Sequence, residues 1–172
     1  DRFMVQVLVR YPSEEEELEV IRRSANKDEV DIKPVIDGDQ IARVQKIIRS
    51  VPVPEHVMRY ALRLVRSTRA GEGFAVPDIV RDYVSWGAGP RASESLIQGA
   101  RAHAMLVGNG IVSIESVRAV AHPVLRHRVL TNFNAQADQV GIDQIIDTLL
   151  REIPEDARDE QARAISDPAI RS

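Results

Sequence analysis

The chain has 172 residues, of which 44% are hydrophobic and 28% are charged, a composition typical of an ordinary globular protein. Its net charge of −3 argues against a general binder of nucleic acids or membrane surfaces, and the absence of cysteine excludes disulfides and thiolate metal sites. No apolar run reaches the length of a membrane span. We therefore expect a cytoplasmic protein with neither nucleic-acid nor membrane partners.

The first predicted element is a strand. Asp1-Arg2-Phe3-Met4 leads directly into Val5–Val9, a run rich in β-branched residues that is typical of a buried strand. A buried strand needs partner strands on both sides, and no later segment clearly supplies them. We therefore expect this chain to be a C-terminal piece of a longer protein.

Two helices are predicted next. Ser13 is a good N-cap for the acidic run Glu14–Glu17, whose four carboxylates suit the positive end of a helix dipole. A carboxylate metal cluster is the weaker interpretation, because consecutive residues point around a helix and do not converge. The polar segment 24–35 is predicted to be a connector. Asp37 or Asp39 is expected to cap the second helix, which presents one face composed of Ile41, Val44, Gln45 and Ile48.

The clearest amphipathic helix is predicted over Glu55–Arg69. It follows the helix-breaking run Val51–Pro54, and its apolar stripe consists of Val57, Tyr60, Ala61, Leu64 and Val65. The arginines at 59, 63 and 66 are predicted to form a solvated face. A short helix, 77–84, then leads to Trp86, for which core packing is a simpler role than a ligand platform.

The glycine-rich turn Trp86–Ala92 is the most informative segment. Pro90 suits the first position of a helix, and that helix carries Ser93, Leu96, Ile97, Ala100, Ala104 and Val107 at helical spacing. Arg91 therefore lies where free N–H groups and the helix dipole favour an anion, and its guanidinium suits phosphate oxygens. An exposed arginine at an ordinary helix start explains the same spacing, so the residues alone leave both interpretations open.

The remaining segments complete a helical pattern. Gly108-Asn109-Gly110 is predicted to end the long helix, and Ser113 to cap the next, whose inward residues are Val117, Val120 and Ala121. Pro123 is expected to interrupt that helix. After Gly141 a last helix is predicted, with an apolar face made of Ile142, Ile145, Ile146, Leu149 and Ile153.

Several kinds of site have no support in the sequence. The four histidines, His56, His103, His122 and His127, lie at no metal-ligand spacing with one another or with carboxylates. There is no cysteine nucleophile, no G-x-S-x-G pattern and no glycine-rich phosphate loop of either common type. Arg118, Arg126 and Arg128 could serve a helix-turn-helix motif, but the acidic balance and the lack of a clear recognition helix disfavour it.

Five motifs in order resemble the C-terminal part of MoxR-family AAA+ ATPases. Asp1-Arg2-Phe3 is similar to the end of the family's L-x-D-R-F motif, and residues 11–16 are similar to its Y-P-x-x-x-E turn and helix. Residues 60–69 resemble its helix ending in T-R. Residues 87–93 resemble its G-A-S-P-R-A-S signature, with glycine at position 89 in place of the frequent serine. Residues 124–128 match its V-L-R-H-R run.

The resemblance implies roles for individual residues. Arg91, with Gly89 and Pro90 in its turn, corresponds to the sensor 2 arginine that contacts the γ-phosphate of ATP in the same subunit. Arg2 corresponds to the arginine finger, which reaches the ATP of a neighbouring subunit. The implied cofactors are ATP and Mg²⁺. The implied partners are the other subunits of a hexameric ring and client proteins, including those of von Willebrand factor A type, which the ATPase remodels as a chaperone.

The resemblance also implies a mainly α fold, a helical AAA+ lid bundle preceded by one remnant strand and helix of the α/β core. The expected domains are the core remnant (1–26), a connector with an insert helix (27–53), the lid (54–154) and a polar tail (155–172). The Walker A lysine and the Walker B acidic pair would precede Asp1, so this chain alone is expected to be inactive. A non-catalytic helical interaction module with lid-like architecture remains the alternative.

Overall fold

The computed structural model describes residues 2–26, 32–71 and 76–155. Over these ranges the fold is mainly helical, as predicted, with a single two-stranded sheet. The described residues divide into two compact units: residues 2–6 with 47–155, and residues 7–46. The domain boundaries expected from the sequence stay a prediction, and most of the expected tail lies outside the described residues. No helix within these ranges combines the length and the apolar content that crossing a bilayer requires.

The unit of residues 7–46 contains helix α1 (Glu14–Asn26) and most of helix α2 (Gly38–Ser50). Ser13 caps α1 as predicted, and Asp37, one of the two residues predicted as alternatives, caps α2. Ser13 N donates to Glu16 Oε2 at 2.8 Å and Glu16 N to Ser13 Oγ at 3.3 Å, while Asp37 and Gln40 exchange the same pair of bonds. Helix α1 continues through Asn26, so the connector predicted from Ser24 begins too early, and residues 27–31 lie outside the described ranges.

The predicted strand at Val5–Val9 is wrong. These residues form no strand, and Val9 is 91% exposed. A strand exists only where a neighbour completes its ladder of hydrogen bonds, and no described segment pairs with this run. The predicted apolar face of α2 is likewise uncovered at Ile41 and Val44, because none of the described residues in 7–46 is buried.

The larger unit has a helical core. Helix α3 (Glu55–Arg66) and helix α5 (Pro90–Leu106) pack together, and α6 (Ile114–Leu125) packs against both and against α8 (Ile142–Glu152). Every predicted inward residue of α3 is buried. Helices α5 and α6 approach closely at Gly99, where an added Cβ would lie 3.3 Å from Val120 Cγ2. The buried residues of the other three helices include Leu96, Ala100, Ala104, Val117, Ala121, Val124, Leu125, Ile145, Ile146 and Leu149.

Short elements connect these helices. Helix α4 (Asp78–Tyr83) runs into strand β1 (Val84–Trp86), which pairs antiparallel with strand β2 (Leu130–Thr131), and helix α7 (Phe133–Ala137) follows. The core position predicted for Trp86 is wrong, because its side chain is 71% exposed. Trp86 is paired with Leu130 at the edge of a two-stranded sheet, and Leu130 is itself exposed.

Pro123 does not interrupt a helix as predicted, since it lies inside α6. A proline at this depth removes one backbone donor and is normally unfavourable. Here it comes three residues before the C-cap, and its carbonyl oxygen accepts a hydrogen bond from Gln6 N at 2.7 Å. The last turn of α6 is therefore joined to the first residues of the chain.

Candidate functional site

The turn before α5 presents Arg91 to solvent. Gly89 is the N-cap in an extended conformation, and Pro90 occupies the first position of the helix, as predicted. Arg91 follows it in the first turn and makes no hydrogen bond or ion pair with the described residues. It therefore combines a planar fork of donors with the positive end of the helix dipole, an arrangement suited to a bound anion.

The first turn of α5 contains no acidic residue. Most other helices carry one there, including the four glutamates of α1 and Glu115 of α6. A cation near a helix N-terminus is disfavoured by roughly 0.3–1 kcal/mol at an exposed position. Arg91 is thus placed where it does not stabilise its own helix.

Two residues just after the end of α3 fix the glycine-rich turn. Thr68 is fully buried, and its hydroxyl donates to Val65 O at 2.6 Å while accepting from Ala88 N at 2.8 Å. Arg69 Nε donates to Ala88 O at 2.7 Å. The amide and the carbonyl of Ala88 are therefore both held by side chains 20 and 19 residues earlier in the chain.

Gly87 is required by close approach to the same residues. A Cβ at this position would lie 2.3 Å from Thr68 O and 2.7 Å from Arg69 Cγ, and the first of these atoms is backbone. Gly89, by contrast, has no heavy atom within 4 Å of its hypothetical Cβ and a negative φ of −78°. The turn needs the glycine at 87 and tolerates a side chain at 89.

The segment that carries Arg2 is bound to the helical unit by the turn after α6. Arg128, which is only 6% exposed, donates from Nη2 to Phe3 O at 2.6 Å and from Nη1 to Met4 O at 2.9 Å. His127 Nε2 lies 2.9 Å from Phe3 O, so it carries the proton of that bond. The side chain of Arg2 is exposed, and its guanidinium carbon lies 5.6 Å from the centre of the Phe3 ring.

The other charged residues considered from the sequence form internal pairs. Arg126 makes two hydrogen bonds with Asp143, at 2.6 and 3.1 Å, and Arg118 pairs with Glu155 at 3.0 Å. Arg63, predicted to be solvated, instead donates to the carbonyls of Pro154 and Glu155. These bonds attach α3 and α6 to the end of the described chain.

A polar cleft of about 400 Å³ lies between α4 and α7, and it contains neither Arg91 nor Arg2. Its polar groups bind one another. Tyr83 Oη donates to Asp138 Oδ2 at 3.1 Å, which raises the pKa of the tyrosine, and Asn132 Nδ2 donates to Asp82 O at 2.7 Å. The cleft is therefore explained by the packing of α4 on α7.

The sequence did not identify Thr68, Arg69 and Arg128 as supporting residues of this site. The partners that tie them to the site, Ala88 and Phe3, lie 19 to 125 positions away, so helical periodicity carries no information about them. The only sequence signal for them was that each lies in a segment that resembles a family motif. Thr68 and Arg69 lie in residues 60–69, and Arg128 lies in residues 124–128.

Comparisons with known proteins show likeness over the segments that carry these residues. The model of the AAA lid domain family matches residues 77–149, which contain the Gly87–Arg91 turn and the 126–128 turn. Chaperone MoxR1 of Mycobacterium tuberculosis is 33% identical over 153 residues, which cover 89% of this chain and 40% of the relative. Residues 77–149 thus match the AAA lid domain, and most of the chain is similar to a MoxR chaperone.

Two further comparisons extend the likeness over most of the lid region and the residues before it. YeaC of Bacillus subtilis, an uncharacterized protein, is 24% identical over 147 residues, which cover 85% of this chain and 43% of the relative. A crystal structure from Cytophaga hutchinsonii, described as a candidate ATPase, superposes with a TM-score of 0.78 at 29% identity and covers 89% of this chain. The chain spans less than half the length of each of these relatives.

Proposed function

We propose that this lid region belongs to a protein that binds and hydrolyses ATP, and that Arg91 contacts the γ-phosphate as its sensor 2 residue. The observation that carries the proposal is the exposed Arg91, unpaired among the described residues, on a turn fixed by Thr68 and Arg69. The lid family match and the likeness to a chaperone and to a candidate ATPase support it.

The chemistry asked of Arg91 is electrostatic. Phosphoryl transfer is catalysed mainly by positioned positive charge, and a guanidinium held in place before the reaction needs no reorganisation during it. The bonds to Ala88 hold the backbone three residues before Arg91, so the start of α5 presents its free N–H groups from a fixed position, and the exposed guanidinium extends from the same turn.

Arg2 is the proposed arginine finger, which acts on ATP held by the next subunit of a hexameric ring. Mg²⁺ would accompany the nucleotide, and the residues of this chain that fit the phosphates are Arg91 and Arg2. Closure of the lid on bound nucleotide would change the geometry between subunits and remodel client proteins, including those of von Willebrand factor A type.

The test uses the full-length protein with Arg91→Ala. Loss of one preorganised donor should lower kcat about 100- to 1,000-fold. The free energy of unfolding should stay equal or rise slightly, because a cation leaves the positive end of α5. Arg59→Ala is the matched control, since Arg59 is also exposed and helical but pairs with Glu55. Unchanged turnover in Arg91→Ala would exclude the sensor role.

Mixing subunits tests whether Arg2 acts across an interface. Rings made only of Arg91→Ala or only of Arg2→Ala subunits should be nearly inactive. In an equal mixture about one quarter of the sites combine an intact Arg91 with a neighbour's intact Arg2, so turnover should return. A mixture as inactive as the two parents would contradict action in trans. Inactivity of the wild-type full-length protein would leave the non-catalytic module as the function.

A further inference from the structure

The buried side chain of Arg128 joins the two segments that carry the proposed nucleotide-contacting arginines. Besides its bonds to Phe3 O and Met4 O, its Nη2 donates to Ser95 Oγ at 3.0 Å, and its Nη1 donates to Val124 O. Ser95 lies on α5, one turn after Arg91. A single guanidinium therefore contacts the residue after Arg2, the helix of Arg91 and the last turn of α6.

Further contacts hold the same segment on α5 and α6. The terminal carbon of Met4 lies 3.6 Å from the position where a Cβ of Gly99 would stand, and Gln6 N donates to Pro123 O at 2.7 Å. Residues 2–6 and the helices belong to one compact unit. The segment from Phe3 to Gln6 is thus attached to the lid helices by polar and apolar contacts.

The planar fork of arginine is essential to this junction. Its Nη1 and Nη2 atoms bond four acceptors on three different segments, which the single ammonium of lysine, with three donors, cannot reproduce. The side chain is buried, its bond to Val124 O is buried and the other three bonds are partly buried, so the loss of a partner is expensive. A displacement of α5 that keeps the bonds of Arg128 to Ser95 and Phe3 therefore moves Phe3 as well.

We propose that Arg128 is a positioning residue that couples the two proposed ATP contacts, so that engagement of Arg91 by nucleotide in one subunit sets the placement of Arg2 toward the next. The inference rests on the proposed function of Arg91 and Arg2. It makes the lid helices a direct support of the segment that carries Arg2.

The test measures amide hydrogen exchange in the full-length protein with and without a non-hydrolysable ATP analogue, in peptides covering residues 2–6 and 86–92. In the wild type, nucleotide should slow exchange in both. In Arg128→Met it should slow only residues 86–92. Arg126→Met is the matched control, because Arg126 lies in the same turn but bonds Asp143 on α8, and both peptides should respond in it.

A turnover measurement separates positioning from a general structural defect. Arg128→Met should lower kcat about 100-fold, the scale of a misplaced catalytic group, while the affinity for the ATP analogue changes less than about 2-fold. Ser95→Ala removes one of the four bonds and should give the same pattern with a smaller loss. It keeps the test decisive if Arg128→Met does not fold.

The outcomes are distinguishable. Suppose that nucleotide slows exchange in residues 86–92, and that it slows residues 2–6 equally in the wild type, Arg128→Met and Ser95→Ala. The coupling through Arg128 is then wrong, and the sensor role of Arg91 stands. The coupling is also wrong if residues 86–92 respond and residues 2–6 never do. If neither peptide responds in the wild type, the proposed function fails and the coupling fails with it.

Discussion

At the scale of single residues, the two glycines of the G-A-G-P-R turn have opposite requirements. Gly87 lies against the backbone of Thr68, where no side chain can fit, whereas Gly89 has open space and an ordinary extended conformation. Both look alike in the sequence. The family resemblance distinguishes them only because serine is frequent at position 89. The structure explains why serine fits there: position 89 is the N-cap of α5, where a side-chain hydroxyl can accept a backbone hydrogen bond.

The two positions predict opposite effects of substitution. Gly87→Ala should destabilise the lid by about 1–3 kcal/mol, because its Cβ would overlap Thr68 O and force the turn to shift. Gly89→Ser should leave stability equal or raise it by about 0.4–1 kcal/mol, by restricting the unfolded chain and offering a cap. Denaturant unfolding of the two variants measures both effects. Equal destabilisation would contradict the geometry of the turn.

At the scale of elements, local signals were sufficient wherever the stabilising partners are close in sequence. The caps at Ser13, Asp37 and Ser113, the inward face of α3 and the start of α5 at Pro90 all follow from neighbours within a few residues. Val5–Val9 and Trp86 were predicted wrongly, because whether an apolar run is paired or covered depends on distant elements.

The connection between α3 and the turn before α5 predicts a specific cost. Thr68→Val keeps the shape of the side chain but leaves the buried Ala88 N without its acceptor, which should cost about 1–3 kcal/mol of stability. ATP turnover should fall as well, because the turn that presents Arg91 loses one of its two attachments. Unfolding curves and ATPase rates of the full-length protein measure the two effects.

Thr148→Val is the control for that substitution. Thr148 is also buried and lies on a helix, but its hydroxyl bonds only Arg151, at 3.2 Å, among the described residues. We expect a smaller loss of stability and unchanged turnover. If the two variants lose turnover equally, the attachment of the turn to α3 is not what positions Arg91.

At the scale of the whole molecule, the proposed function makes this chain one side of a nucleotide site. The candidate Arg91 could be found from sequence because its turn is contiguous, and the resemblance supplied its role. The attachment of residues 2–6 to the lid could not be found from the sequence, because Arg128 bonds Phe3, which lies 125 positions earlier. Separations of this size are invisible to periodicity and are decided by how α5 and α6 pack.

A motif that this sequence lacks predicts whether the isolated chain hydrolyses ATP. The 172-residue polypeptide contains no G-x-x-x-x-G-K-[ST] sequence, so it lacks the backbone cradle and the lysine that hold the phosphates in P-loop enzymes. We expect no ATP hydrolysis from it, measured as phosphate release beside the full-length protein. Magnesium-dependent turnover by the isolated chain would show that it holds a complete site.

Trp86 gives this lid an optical property. It is the single tryptophan of the 172 residues, 71% exposed, and it immediately precedes the glycine of the turn that presents Arg91. An indole in water emits at longer wavelength than one covered by protein. Any partner surface or nucleotide that covers this edge of the sheet would shift the emission to the blue, so the chain carries its own fluorescent probe five residues from the proposed phosphate contact.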